Sequence, residues 1–172
     1  MNIYPYSYTF EGEIKTLLWC SSEEDNSDEF LRSEGGVLHY ACGLDDAKTK
    51  FKGVAHEINW AEEGQINFDD FWLTINQLPC STAPEDCQIV IEGWNFIEDV
   101  LRTYSLHFLR KKLDNAQANM AYKKIFYGSN LDAFKSRSEN FTPQWSESES
   151  LKLVSDLHDV WNAIGKEINE LW

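Results

Sequence analysis

Alternating apolar and polar residues in the first sixty positions predict consecutive β-strands. Residues 4–10 alternate aromatic side chains with small polar ones, as a half-buried edge strand does, and residues 13–20 form a second candidate after a Glu11-Gly12 turn. The runs 37–42 and 51–60 also predict strands. Because these strands follow one another along the chain, we expect an antiparallel meander.

Helical periodicity first occurs after residue 67. Apolar residues between 68 and 78 have helical spacing, and Asn67 is the predicted N-cap. The acidic stretch 21–29 is too charged to pack and predicts a loop or the start of a helix. The β-branched run 87–91 is compact and apolar, so it predicts a central buried strand.

The C-terminal part of the chain predicts helices. An apolar face over 97–113 predicts one helix, and a second piece is expected at 114–126. Ser146 and Glu149 form a capping box ahead of an apolar series that keeps helical period from 151 to 171. This last helix is expected to pack on the core.

These elements predict a single α+β domain over residues 1–172, in which an antiparallel sheet from the N-terminal half packs against C-terminal helices. Residues 1–92 are strand-rich and residues 93–172 helix-rich. A chain of 172 residues, 42% of them hydrophobic, is long enough to bury roughly two thirds of its unfolded surface in one core. With no membrane-spanning run and no signal-peptide pattern in its sequence, the chain is expected to be cytoplasmic.

Charge is unevenly distributed. Residues 1–100 hold 20 acidic and 5 basic side chains, a net of −15, whereas residues 101–172 have a net of +1. The stretch 102–137 is basic. An acidic N-terminal part repels nucleic acid and anionic lipid and attracts basic proteins, so we expect a basic protein partner and neither nucleic acid nor membrane. Two other interpretations stay open: the acids only keep the domain soluble, or the basic stretch pairs with acids within the fold.

Aromatic rings and carboxylates are interleaved between residues 57 and 72. Aromatic anchors beside steering acids are typical of an interface that holds cationic side chains. We therefore predict a partner-binding surface that consists of Glu23, Glu24, Asp25, Asp45, Asp46, Glu57, Trp60, Glu62, Glu63, Asp69, Asp70 and Trp72. The alternative is that Trp60, Phe71 and Trp72 are core residues whose acidic neighbours face solvent.

The sequence predicts no catalytic group, metal site or cofactor. Neither a glycine-rich phosphate motif nor a GxSxG nucleophile elbow occurs in it. The cysteines lack CxxC and zinc-finger spacing and are expected to be packed thiols: Cys20, Cys42, Cys80 and Cys87. The histidines fall on four different predicted elements: His39, His56, His107 and His158.

The segment Tyr127-Gly128-Ser129-Asn130-Leu131-Asp132-Ala133-Phe134 resembles the YGxNLDAF signature of barstar-type ribonuclease inhibitors. Residues 64–71 are similar to the start of that family's first helix, and residues 89–94 to its later strand that ends in tryptophan. In those inhibitors a loop leads into a helix whose acids block a basic nuclease site, so the resemblance implies a nuclease inhibitor. A turn in which Ser129 or Asn130 caps a short helix explains the same residues locally.

In size, acidity and aromatic content the chain is similar to cytoplasmic immunity proteins that neutralise bacterial toxins, including those of contact-dependent growth inhibition systems. Our leading hypothesis is an immunity or antitoxin-like protein, not an enzyme, that occludes a basic toxin domain, with a nuclease as the expected class. One alternative is an enzyme or small-ligand protein with a pocket between sheet and helices, lined by His39, His56, Trp94 and Tyr104. Another is a structural subunit that docks through its basic segment 102–137.

Overall fold

A computed structural model of the chain describes residues 2–22, 27–54, 57–78, 83–129 and 141–167. In these ranges a mixed sheet packs against helices, and the predicted α+β class is confirmed. The strands are β1 (Asn2–Phe10), β2 (Glu13–Ser22), β3 (Ser27–Phe30), β4 (Tyr40–Ala41) and β5 (Gly64–Asn67). The helices are α1 (Leu44–Lys50), α2 (Phe68–Asn76), α3 (Pro84–Thr103), α4 (His107–Leu113), α5 (Ala116–Gly128) and α6 (Glu147–Glu167).

The sheet has the order β3-β2-β1-β5, and β4 pairs with β2 outside this path. The predicted hairpin between β1 and β2 is confirmed, and both turn residues, Glu11 and Gly12, have positive φ, as a two-residue hairpin turn requires. Strand β5 pairs with β1 in parallel, with Tyr6 opposite Gly64. The antiparallel prediction therefore applies to β1–β4, whereas β5 enters after a crossover that contains α1.

Three N-terminal segments differ from their prediction. The stretch 21–29, expected to be a loop or helix start, contains most of strand β3. The strand predicted at 37–42 is reduced to β4, and the run 51–60 contributes no named strand in the described residues. Phe51 instead follows α1, where its N–H bonds to the Ala47 carbonyl and its ring is buried. Phe51 is therefore apolar because its ring is buried at the end of α1, and not because it belongs to a strand.

The central strand predicted at 87–91 is wrong, because these residues form the first half of α3. Pro84 occupies the first helical turn with two acids beside it, and the buried positions continue at helical spacing beyond Gly93. A short apolar run suits a buried strand and a buried helix equally, and the continued period decides for the helix. Residues 89–94, which resemble the tryptophan-ended strand of barstars, are likewise helical.

The helices predicted at 68–78 and 114–126 are present as α2 and α5, and the C-terminal helix is present as α6, although residues 168–171 lie outside the described residues. The Asn67 side chain accepts hydrogen bonds from the N–H groups of Asp69 and Asp70, at 2.9 and 3.3 Å, and so caps α2. The capping box of α6 is also present, since the Ser146 N–H donates to Glu149 and the Glu149 N–H donates back to Ser146. The helix predicted over 97–113 is divided at residue 105 into the end of α3 and α4. Among the described helices, none combines the length and the apolar character needed to cross a bilayer.

Successive residues of a strand point to opposite sides of the sheet, and both sides are covered. On one face the main core packs β1 aromatics against α2, α3 and α6 through Tyr8, Phe68, Phe96 and Trp161. On the other face a smaller core packs under α1 and consists of Ile3, Leu18, Cys20, Ala41, Ala47 and Phe51. Helix α3 belongs to the main core, and its polar side borders the candidate site.

Candidate functional site: an acidic cleft beside helix α3

Helix α3 crosses the main-core face of the sheet from β5 to β3. At its end, the Phe30 N–H donates to the Thr103 hydroxyl at 2.8 Å, which fixes the helix to β3. The polar residues at 92, 95, 99 and 102 recur at helical spacing, so they share one side of α3. That side faces a cleft of about 610 Å³, which we call the α3 cleft.

The α3 cleft has an aromatic side and a charged side. Tyr6 and Trp19 from the sheet and Tyr122 from α5 supply rings to it. The carboxylates that line it outnumber its two arginines, Arg102 and Arg110, and they are Asp28, Glu92, Glu98, Asp99 and Asp114. The cleft is therefore a concave, net negative site that is also lined by aromatic side chains.

Asp99 is an enclosed carboxylate of the α3 cleft, with only 16% of its side chain exposed. The Trp19 Nε1 donates to Oδ2 at 3.1 Å, and the Arg102 guanidinium lies 3.3 Å from Oδ1. Burial raises the pKa of Asp99 to about 7, against the opposing effects of the Trp19 hydrogen bond and the Arg102 charge. The carboxyl therefore changes charge near neutral pH.

Both arginines of the α3 cleft also serve the fold. Arg102 donates to the Asp28 carbonyl oxygen at 2.8 Å and so connects α3 to β3. Arg110 pairs with Glu98 at 3.1 Å and connects α4 to α3. Burial, helped by the charges of Glu92 and Asp99, raises the pKa of the Tyr6 phenol above its usual value, so Tyr6 stays neutral in the cleft.

Two grooves share lining residues with the α3 cleft, and we call them the β5 grooves. One, of about 620 Å³, shares Glu92 with the cleft and is also lined by Glu63 and Asp70. The other, of about 330 Å³, shares Tyr6 and Trp19 with the cleft and is also lined by Glu62 and Glu63. Among the residues that the structure describes, no lysine or arginine lines either groove. The two β5 grooves meet at Glu63 and form one acidic surface around β5, which adjoins the α3 cleft at Glu92, Tyr6 and Trp19.

Glu63 is held at this surface by a short hydrogen-bonded chain. The Ser7 hydroxyl donates to Glu63 Oε1 at 2.6 Å, and the buried Thr16 hydroxyl lies 2.8 Å from the Ser7 oxygen. Because the Ser7 proton points to the carboxylate, Thr16 donates to Ser7. These hydrogen bonds fix the Glu63 carboxylate at the rim of both β5 grooves.

The predicted interface acids do not share one surface. Glu62, Glu63 and Asp70 line the β5 grooves. Asp45 and Asp46 lie on α1, where they pair with Lys48 and Lys50, and Asp46 also accepts from the Cys42 N–H at 2.9 Å. Asp69 accepts from the N–H groups of Glu11 and Gly12 and so supports the β1–β2 turn. Glu57 is exposed, and Glu23, Glu24 and Asp25 lie outside the described residues.

The two tryptophans of the predicted interface are packed into the fold. Trp72 stacks on His158 with ring centroids 4.2 Å apart and also contacts Phe71 and Trp161. Trp60 is partly buried against the smaller core. These contacts match the alternative in which the rings are structural and the neighbouring acids face solvent.

The described residues do not bring together the side chains of the alternative ligand pocket, which was predicted to be lined by His39, His56, Trp94 and Tyr104. Trp94 lines the α3 cleft, but His39 packs against Phe51 and Tyr104 lies under the Arg32 guanidinium. His56 lies outside the described residues. The depression between sheet and helices exists, and the charged groups that line it are carboxylates and arginines.

Sequence reasoning missed the main residues of the α3 cleft. Glu92 and Asp99 are not among the predicted interface residues, because the segment 87–91 before them was predicted to form a central strand. The available signal was the polar series at 92, 95, 99 and 102, which repeats at helical spacing through an apolar segment. Trp19 and Asp28 carried no such signal, since their contact with α3 spans more than seventy residues.

Neither a family model nor a curated protein matches this chain. A solved structure of the SatS C-terminal domain in complex with bromine is similar to it with a TM-score of 0.48 and 11% sequence identity. The alignment covers 97% of this chain and 92% of that chain. The likenesses to barstar-type inhibitors and to immunity proteins stay predictions, and residues 130–134 of the YGxNLDAF segment lie outside the described residues.

Proposed function

We propose that this protein is a non-catalytic binding protein of the immunity or antitoxin type, which occludes a basic toxin domain such as a nuclease. The observation that supports the proposal is the acidic surface around β5, where the β5 grooves are lined by Glu62, Glu63, Asp70 and Glu92. A concave acidic surface complements a basic active site and raises the rate of encounter with it.

The pairing of the basic side chains also supports this proposal. Arg102 and Arg110 pair with acids of α3, and Lys112 and Lys124 pair with Asp159 and Glu149 of α6. These four basic side chains therefore pair with acidic side chains of α3 and α6, and the β5 grooves stay negative. The arrangement favours pairing of the basic stretch within the fold over its use as a docking segment.

The test is affinity capture with the tagged chain from the native host, followed by measurement with the purified captured protein. We expect a basic protein that is retained at 50 mM NaCl and released at 500 mM, because steering between exposed charges is screened by salt. A bait that carries both Glu57→Lys and Glu62→Lys is expected not to retain this basic protein, since both side chains are exposed and Glu62 lines a β5 groove. Co-expression of the chain is then expected to protect cells from the captured protein.

The matched control bait carries Glu85→Lys and Glu147→Lys, which change the net charge equally at exposed positions on α3 and α6. This control is expected to retain the partner. Capture of an acidic partner, salt-independent binding, or equal losses from both double variants would each show that the acidic surface is not the binding surface.

A further inference from the structure

The α3 cleft shares Tyr6 and Trp19 with the smaller β5 groove, and it differs from both grooves in being lined by Asp99, whose side chain is only 16% exposed. Its volume of about 610 Å³ lies within the range of 300–1,000 Å³ that is typical of ligand sites. Tyr6 and Trp19 line one side, and Trp19 also donates its indole N–H to Asp99. Organic cations are recognised by this combination, in which ring faces meet the cation and a carboxylate balances its charge.

Asp99 has the capacity to accept another donor. An ionised carboxylate offers about four acceptor positions. The described hydrogen bonds use one from Trp19 and a longer one from Arg102. Glu92, seven residues or about two turns earlier on the same side of α3, accepts from Gln88 at 2.5 Å and also lines the cleft. The two carboxylates thus flank a space beside the Tyr6 ring.

We propose that the α3 cleft binds a guanidinium or alkylammonium group, with Asp99 as the counter-ion and the rings of Tyr6 and Trp19 as its walls. If the group is an arginine or lysine side chain of a basic partner, the inference rests on the function proposed above. If the group belongs to a free organic cation, the cleft is a separate ligand site. The recognition chemistry is the same in both cases.

Binding of a cation is coupled to the protonation of Asp99. Below neutral pH the carboxyl is largely protonated, because burial raises its pKa to about 7, and it must lose its proton to balance a bound cation. From the sheet, the titratable neighbours in the cleft are Tyr6 and Asp28. From the helices, the charged and titratable neighbours are Glu92, Glu98, Arg102, Arg110, Asp114 and Tyr122.

The experiment is a calorimetric titration of the full chain with N-acetyl-arginine amide, and with N-acetyl-citrulline amide as its neutral isostere. We expect saturable binding of the arginine compound at pH 8 and roughly tenfold weaker binding at pH 6, one unit below the Asp99 pKa of about 7. At pH 6, buffers of different ionisation enthalpy are expected to show release of a proton. The citrulline compound is expected not to bind.

The variant Asp99→Asn is expected to weaken binding at least tenfold at pH 8 and to abolish both the pH dependence and the proton release. Glu92→Gln, which leaves Asp99 in place, is the second variant in case Asp99→Asn fails to fold, and it is expected to weaken binding while retaining proton release. Glu147→Gln on the exposed surface of α6 is the control and is expected to behave as wild type. Equal binding of the two compounds, no saturable binding, or unchanged binding by both cleft variants overturns the proposal.

The two sources of the cation are separated with the captured partner. If the arginine compound competes with the partner and Asp99→Asn weakens partner binding tenfold, the group is a partner side chain. If the compound binds but neither effect is seen, the ligand is a free organic cation. If a basic partner binds but the arginine compound does not, the proposed cation site in the α3 cleft is wrong and the proposed function stands. If the compound binds but no basic partner is captured, the proposed function is wrong and the cation site stands.

Discussion

At the scale of single residues, Gly93 sets the distance between α2 and α3. A Cβ at this position would lie 2.2 Å from the Phe71 ring, which is fully buried. We expect Gly93→Ala to lower the free energy of unfolding by about 1–3 kcal/mol, because overpacking outweighs the helix propensity gained by alanine. Urea denaturation measures the change. Gly35→Ala, whose Cβ would meet only Ser33 at 3.7 Å, is the control, and an equal loss there would contradict the explanation.

Glu149 is a residue whose charge stabilises the fold above acid pH. Hydrogen bonds from Lys124 and then from Ser146 lower the pKa of Glu149 to about 2. Since the unfolded pKa is near 4.5, the stabilisation is present above that pH and is lost as pH falls through 2. Glu149→Gln is expected to cost about 1 kcal/mol at pH 7, because the pair is partly exposed, and almost nothing at pH 2. Thermal unfolding at both pH values measures this, and an equal loss at both would count against it.

Ionisation of Asp99 destabilises the fold, in contrast to that of Glu149. Its folded pKa of about 7 lies above the usual value of 3.8, so the folded state holds a proton that the unfolded state has released between these values. The free energy of unfolding therefore falls as pH rises from about 4 to 7. In the Asp99→Asn variant, the fall in the free energy of unfolding between pH 4 and pH 7 is expected to be smaller than in wild type by on the order of 2–4 kcal/mol. Urea denaturation at pH 4, 6 and 8 gives the slope, and parallel pH profiles for the two proteins would refute the assignment.

At the scale of elements, Asp69 joins the first turn of α2 to the β1–β2 hairpin. Its carboxylate accepts from the N–H groups of Glu11 and Gly12 at 2.9 and 3.1 Å. We expect Asp69→Ala to cost about 1–3 kcal/mol and to speed amide exchange at these two positions, because both donors lose a charged acceptor. Hydrogen exchange measured by NMR tests this. Asp70→Ala, which removes an exposed hydrogen bond with Asn67, is the control expected to leave exchange at the hairpin unchanged.

The elements that the sequence predicted correctly are those with local signals. The hairpin turn, the Asn67 cap and the Ser146–Glu149 capping box each depend on residues within three positions of one another. Strand β3 and the first half of α3 were mispredicted, because charge or apolar content alone does not distinguish strand from helix or loop there. In α3 the helical period of the buried positions continues beyond Gly93, and this longer pattern distinguishes the helix from a strand.

At the scale of the whole molecule, the charge asymmetry of the sequence becomes an acidic surface around β5 and a set of basic side chains that pair with α3 and α6 acids. Because these cations are engaged within the chain, we expect a monomer at both 20 and 500 mM NaCl. Light scattering measures the mass. A dimer that dissociates in salt would favour the structural-subunit alternative, in which the basic stretch docks on a second copy.

The sequence by itself determined the α+β class, the hairpin, the capped helices and the excess of acid in the first hundred residues, because these follow from composition and from neighbours along the chain. The tertiary structure decided which acids share a surface. Asp99 and Trp19 are 80 residues apart in the chain, yet their side chains meet in the α3 cleft. Whether a carboxylate caps a helix, supports a turn or borders a cleft depends on which elements pack beside it, and that packing is set by the whole core.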